Sequence, residues 1–142
     1  MRAICPAIIL SLGLTASATA SHAQSMSFGE FEYNNSCVAC HGASGKGDGP
    51  VTDFLSGAEV PDLTFLQKNN GGVFPVEAVY ETIAGGDEAS AHGTRDMPIW
   101  GNRFRERVAQ SDDASFSPMD TERYVNARIL ALTEYLASIQ EN

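Results

Sequence analysis

Basic residues are scarce in this chain. Nine Lys and Arg stand against 18 Asp and Glu in 142 residues, for a formal charge of −9. Nucleic-acid binding rewards clustered positive charge, so that class is disfavoured from the start. Cysteine is scarce too, with three in all, too few for a disulfide-dense scaffold. No segment alternates apolar and polar residues convincingly, so little regular sheet is expected. There is no internal repeat and no low-complexity tract, which excludes a solenoid. The one long hydrophobic run lies at the N-terminus and falls short of the roughly 20 residues that span a bilayer. What remains is a chain that is 43% hydrophobic with 13 Gly and six Pro. Its length suits one domain rich in turns.

The N-terminal run has the form of an export signal. Arg2 gives a positive start, Ala7 to Ala16 are mostly apolar, and small residues lead to Ser21-His22-Ala23. That order predicts a secretory signal peptide over residues 1–23, cleaved after Ala23 or alternatively after Ala20. The domain then covers residues 24–142, more acidic still once Arg2 is gone, and is expected to reside in the periplasm with no integral membrane span. Cys5 leaves with the leader. Cys37 and Cys40 remain in an oxidising compartment, where their thiols call for an explanation.

Helical signals recur along the rest. Residues 28–40 read as a helix with Phe28, Phe31 and Val38 apolar, stopping at Gly42. Residues 42–50 read as loop. Asp62 is a helix cap before Leu63, Phe65 and Leu66, and Pro75 opens a helix that closes at Gly85-Gly86. Residues 86–101 carry no helical period and read as irregular loop, followed by a short helix over 102–109. Ser117, Pro118 and Asp120 start the clearest helix, in which Val125, Ile129, Leu132, Leu136 and Ile139 recur every three or four residues for about five turns. The fold class is all-α with long loops.

The chemistry sits in Cys37-Val38-Ala39-Cys40-His41. C-x-x-C-H is the attachment signature of c-type haem. Two thiols three residues apart at a helix end reach two vinyl groups on one porphyrin edge, and the next residue directs its imidazole to the iron. The alternatives are a disulfide, a thioredoxin-like pair or a zinc site. A disulfide leaves His41 unused. The redox pair expects a βαβ setting; zinc needs about four ligands, and although Cys37, Cys40, His41 and His92 could be combined, C-x-x-C with an adjacent His is poor tetrahedral geometry.

The sequence resembles the class I cytochromes c, small monohaem carriers of the bacterial periplasm. The likeness rests on the early C-x-x-C-H, on Gly49-Pro50, on Pro61-Asp62-Leu63-Thr64, on Asp96-Met97-Pro98-Ile99-Trp100-Gly101 and on a C-terminal helix. It covers about residues 28–140. The resemblance implies a few helices and long loops around one haem c, bound covalently through Cys37 and Cys40. Its iron ligands would be His41 and Met97, the latter in a loop stiffened by Pro98. Met26, Met119, His92, Lys46 and Lys68 are the other candidate ligands, His92 foremost. Pro50 matches the proline whose carbonyl holds the proximal imidazole in that family. Trp100 is expected at the haem edge or in plain core packing. Phe31, Phe54, Phe65, Leu66, Val79, Ile83, Leu132 and Leu136 are expected around the crevice. Arg103, Arg105 and Arg107 form the only basic cluster, read as a solvated face, a propionate partner or a docking patch.

The function implied is single-electron transfer, without enzymatic activity, by a monomer that meets redox proteins transiently. Two alternatives stand beside it: a haem subunit of a dehydrogenase or reductase complex, and an open-site haem enzyme or gas sensor.

Overall fold

The computed structural model describes residues 26–55, 59–85, 97–111 and 116–141. The expected leader and His92 lie outside the described residues. Among the described residues every regular element is helical and there is no strand, as the absence of period-two patterning led one to expect. Helix α1 runs Phe28–Ser36, α2 Val38–His41, α3 Leu66–Asn69, α4 Val76–Ala84, α5 Trp100–Ala109 and α6 Pro118–Ser138. Single 3-10 turns stand at Thr52–Phe54 and Leu63–Phe65. None of the described helices is long and apolar enough to cross a membrane.

Helix α6 is the axis of the fold. Ser117 Oγ accepts from the Asp120 amide at 3.2 Å, and the Asp120 carboxylate accepts from the Ser117 amide at 3.2 Å, a complete capping box with Pro118 in the first turn. The apolar stripe read from the sequence is buried: Val125, Ile129, Leu132 and Leu136 form the core with Tyr33, Val79, Ile83 and Phe104. Helices α1, α4 and α5 all pack on α6.

The orientation of α1 departs from expectation. Phe28 and Phe31 are 49% and 50% exposed, and Gly29, Glu32 and Tyr33 face inward instead. The crossing of α1 and α6 explains it. A Cβ on Gly29 would fall on the Ala131 carbonyl oxygen and within 2.8 Å of Tyr135 Cβ. The smallest residue, not the largest, marks the face that meets α6. Gly29→Ala therefore destabilises the protein despite better helix propensity. A net loss of about 1–3 kcal/mol is expected from overpacking, read as a thermal midpoint lower by several degrees. An unchanged midpoint would mean that α1 does not seat on α6 in this way.

Two boundaries also differ. The helix expected over 28–40 breaks at Cys37 and resumes at Val38, with the Cys37 carbonyl accepting from the amides of Cys40 at 3.1 Å and His41 at 2.9 Å. Helix α5 begins at Trp100, two residues before the expected start. Gly101 was the misleading signal. It is not a breaker here but a close-approach residue, since a Cβ would lie 2.6 Å from the Ala84 carbonyl oxygen at the end of α4.

Candidate functional site

One cavity of about 470 Å³ lies between α1, α2, α4, α6 and the segments around 59–66 and 97–100. Its volume falls in the range of small-molecule and cofactor pockets. Cys37, Cys40 and His41 line one part of it, and Met97, Pro98 and Trp100 another. Val79 and Ile83 of α4, Leu132 and Leu136 of α6, and Leu63 and Leu66 complete an apolar wall.

The C-x-x-C-H turn is held from below by the glycine-rich loop. The last carbonyls of a helix need donors from elsewhere. Here the amide of Val51 bonds to Ala39 at 3.0 Å, that of Gly49 to Cys40 at 3.0 Å and that of Gly47 to His41 at 2.9 Å. To fold back so tightly, the loop passes through positive φ at Gly42, Gly45 and Gly47. Tyr33 Oη donates to the Gly42 carbonyl at 2.8 Å and ties α1 to the same corner. These bonds fix the direction from which His41 enters the cavity.

His41 is 8% exposed. Burial lowers its pKa below the usual imidazole range, and the Pro61 backbone carbonyl acts in the opposite sense. Nδ1 is buried and meets no acceptor at hydrogen-bond geometry, so the Pro61 contact is electrostatic rather than a formed bond. The net effect favours neutral imidazole, the form that ligates metals. Burial also pushes the Cys37 thiol up to about 12, with the neighbouring Cys40 adding to the rise. Cys37 and Cys40 are free thiols. An elevated pKa marks a thiol that is no activated redox nucleophile. Among the described residues there is also no strand to supply the βαβ setting of a thioredoxin-like pair. Among the described residues no group of three or more His, Cys, Asp and Glu is placed to hold a metal ion.

Pro50 is not part of this wall. It is exposed and stands between two amide donors, Gly49 and Val51, where a residue without an N–H loses nothing. The proline that acts on His41 is Pro61, which belongs to the Pro61-Asp62-Leu63-Thr64 stretch. Its position is secured by Asp62 Oδ1, which accepts from the Thr64 amide at 2.8 Å and hydroxyl at 2.6 Å. Sequence distance hid this role, because twenty residues separate it from His41 along a chain with several prolines.

Of the candidate sixth ligands among the described residues, Met97 is the one on the cavity wall. Met26 is exposed beside Asn34, Met119 is exposed on α6, Lys46 pairs with Glu141 at 2.7 Å, and Lys68 lies over the Phe65 ring. Trp100 lines the cavity, as expected, and stacks near Phe104 with ring centres 6.0 Å apart. Leu66, Val79, Ile83, Leu132 and Leu136 line it too, whereas Phe31, Phe54 and Phe65 do not. Tyr33 takes the aromatic place and was not foreseen.

The basic cluster is divided among internal partners. Arg103 lies over Trp100 at 5.2 Å, Arg105 makes two bonds to Glu122 at 2.7 and 2.8 Å, and Arg107 stands 3.8 Å from Glu32. Comparison of the chain with protein-family models, curated proteins and solved structures returned no match.

The arrangement therefore offers two thiols for covalent anchoring, one neutral imidazole and one thioether, all facing a low-polarity space. Imidazole and thioether together suit a transition metal rather than a hard cation.

Proposed function

We propose that this chain is an electron carrier of the class I cytochrome c type, in which Cys37 and Cys40 would hold one haem c and His41 and Met97 would ligate its iron. The observation that carries this reading is that all four side chains, drawn from two distant segments, line one apolar cavity. When bound, the haem supplies reversible one-electron exchange, and Met/His ligation raises its potential.

The chain's own residues have separable tasks. Cys37 and Cys40 anchor one edge from a single helical turn. His41 presents a neutral imidazole from a helix end whose carbonyls are already bonded, so it has little freedom to swing. Met97 is followed directly by Pro98 and by the start of α5 at Trp100, which restrain it from its C-terminal side. The leucine, valine and isoleucine walls keep water out, which limits solvent reorganisation as charge moves. A small transient contact is the usual form of such a carrier's encounters. The N-terminal leader pattern supports export to the periplasm, and the reading is of a monomer.

The test is an absorption spectrum of protein matured in a periplasm, taken ferric, then dithionite-reduced, then under carbon monoxide. The expected result is a six-coordinate low-spin protein with the weak long-wavelength sulfur-to-iron band and no shift with carbon monoxide. A high-spin spectrum that shifts with carbon monoxide would replace this reading with an open-site enzyme or sensor. Stable co-purification with a dehydrogenase or reductase would make it a complex subunit.

A further inference from the structure

The strongly acidic balance of the chain says that a partner should be basic but not where it would dock. The structure offers a location. Phe54 is 82% exposed, the highest value among the large hydrophobic residues that stand out from the surface. It is not on a loose segment. Its amide bonds to the Val51 carbonyl at 3.0 Å in a 3-10 turn, and the Val51 amide bonds to Ala39, inside the C-x-x-C-H turn. The next residue, Leu55, lines the cavity. Pro50, Val51 and Phe54 thus form an exposed apolar strip pinned against the backbone that carries both thiols.

The charges carried along the chain of this strip are acidic. From residue 47 to residue 59 the chain holds Asp48, Asp53 and Glu59, all exposed, and no Lys or Arg. The nearest base in sequence, Lys46, is bonded to Glu141 at 2.7 Å. The basic side chains of α5 are committed elsewhere, to Trp100, Glu122 and Glu32. Apolar contact beside the cavity with a rim of like charge is the pattern of an encounter steered by charge and completed by desolvation.

We infer that Asp48–Leu55, together with Glu59, is the docking surface for a redox protein whose own face sets an apolar patch inside a ring of Lys and Arg. This rests on the haem reading above. With haem held by Cys37, Cys40, His41 and Met97, each encounter would move a single electron, lost by this protein and gained by the partner, with no bond made and no proton moved. A second copy of this chain is a poor occupant, because Asp48, Asp53 and Glu59 would face their own counterparts.

The test uses reduced, haem-loaded protein and ferric mitochondrial cytochrome c, a lysine-rich probe, in stopped-flow over a range of ionic strength. Asp53→Lys should slow transfer about five-fold or more at low salt and flatten the salt dependence. Phe54→Ser should slow it about three-fold at every ionic strength, since desolvation is not screened. Glu134→Lys makes the same charge change on the exposed face of α6, two positions from both Leu132 and Leu136, and should change the rate less than two-fold. Amide shifts on adding the ferric probe to the ferric protein should map to 48–59, a readout independent of whether Phe54→Ser folds. Equal slowing by Glu134→Lys, shifts centred on α5, or dimerisation abolished by Phe54→Ser would each overturn the docking surface. A pyridine haemochrome assay on the parent protein separates the two levels. Absence of covalent haem overturns the functional reading and the docking inference with it, whereas haem present with any of the preceding outcomes overturns the docking surface alone.

Discussion

Met97→Ala makes the reduced, haem-loaded protein bind carbon monoxide, where the parent does not. Met97 lies on the cavity wall with His41, and the other described candidates for the sixth position are engaged or exposed away from it. Removing the thioether leaves a space beside Pro98 and Trp100, and among the described wall residues there is no second thioether and no imidazole besides His41. The ferric spectrum should turn high-spin and lose its long-wavelength sulfur band. Met97→His should restore resistance to carbon monoxide and lower the midpoint potential by on the order of 100 mV, a fraction of the roughly 0.8 V that axial ligands command. Should Met97→Ala keep the parent spectrum, the sixth ligand lies elsewhere, and the same measurements on His92→Ala would decide whether it is that histidine.

Glu32→Ala destabilises the fold by about 3–5 kcal/mol, the usual result of breaking a buried ion pair from one side. Glu32 is completely buried where α1, α5 and α6 meet. Arg128 Nη1 bonds to one carboxylate oxygen, and Arg107 Nη1 stands 3.8 Å from the other. The Arg128 guanidinium lies over the Tyr124 ring at 4.3 Å and within 5.7 Å of Phe28 and Phe104. With the carboxylate gone, this positive group remains among rings with little water to solvate it. The double replacement Glu32→Leu with Arg128→Met removes both charges and should recover most of the loss. Urea unfolding of the four proteins of this cycle, at one pH, measures the coupling. A single variant within about 0.5 kcal/mol of the parent, the ordinary range of surface changes, would show that water reaches the pair.

The legible parts of this protein share a physical property: their signals are local. The C-x-x-C-H turn, the Ser117 cap with its i, i+3 partner, and the stripe Val125, Ile129, Leu132 and Leu136 each depend on residues within a few positions of one another. The fold class followed from them. The misread parts depend on contacts between distant segments. Phe28 and Phe31 looked like the inner face of α1, but helix crossing selected Gly29 because α6 approaches so closely there. Glu32, read locally, is an acid near the start of a helix, where its charge suits the dipole, and its partner Arg128 lies 96 positions away. Pro50 matches the resembled family's proline by its place in the loop after the C-x-x-C-H turn, but the proline whose carbonyl acts on His41 is Pro61, because the 59–63 segment folds back on the loop, with the Leu63 amide bonded to Gly45 at 2.7 Å. The start of α5 was missed because Gly101 signals a turn when read alone and a tight packing contact when Ala84 is in view.

The pairing of α1 with α6 has a consequence in time. A ribosome delivers a chain from its N-terminal end, and a translocated chain emerges in the same order. Helix α1, carrying the turn that ends in His41, is finished long before its packing surface exists. Gln140 closes the corner opposite, bonding to the Leu63 carbonyl at 2.7 Å and the Gln67 amide at 2.8 Å, only after α6 has emerged. Contacts between such remote positions form late, since the intervening loop must first be closed. Through that interval Cys37, Cys40 and His41 lack the α6 residues Leu132 and Leu136 that close their cavity. The topology therefore keeps its reactive segment open to modifying chemistry until the last helix arrives, and then shuts it in.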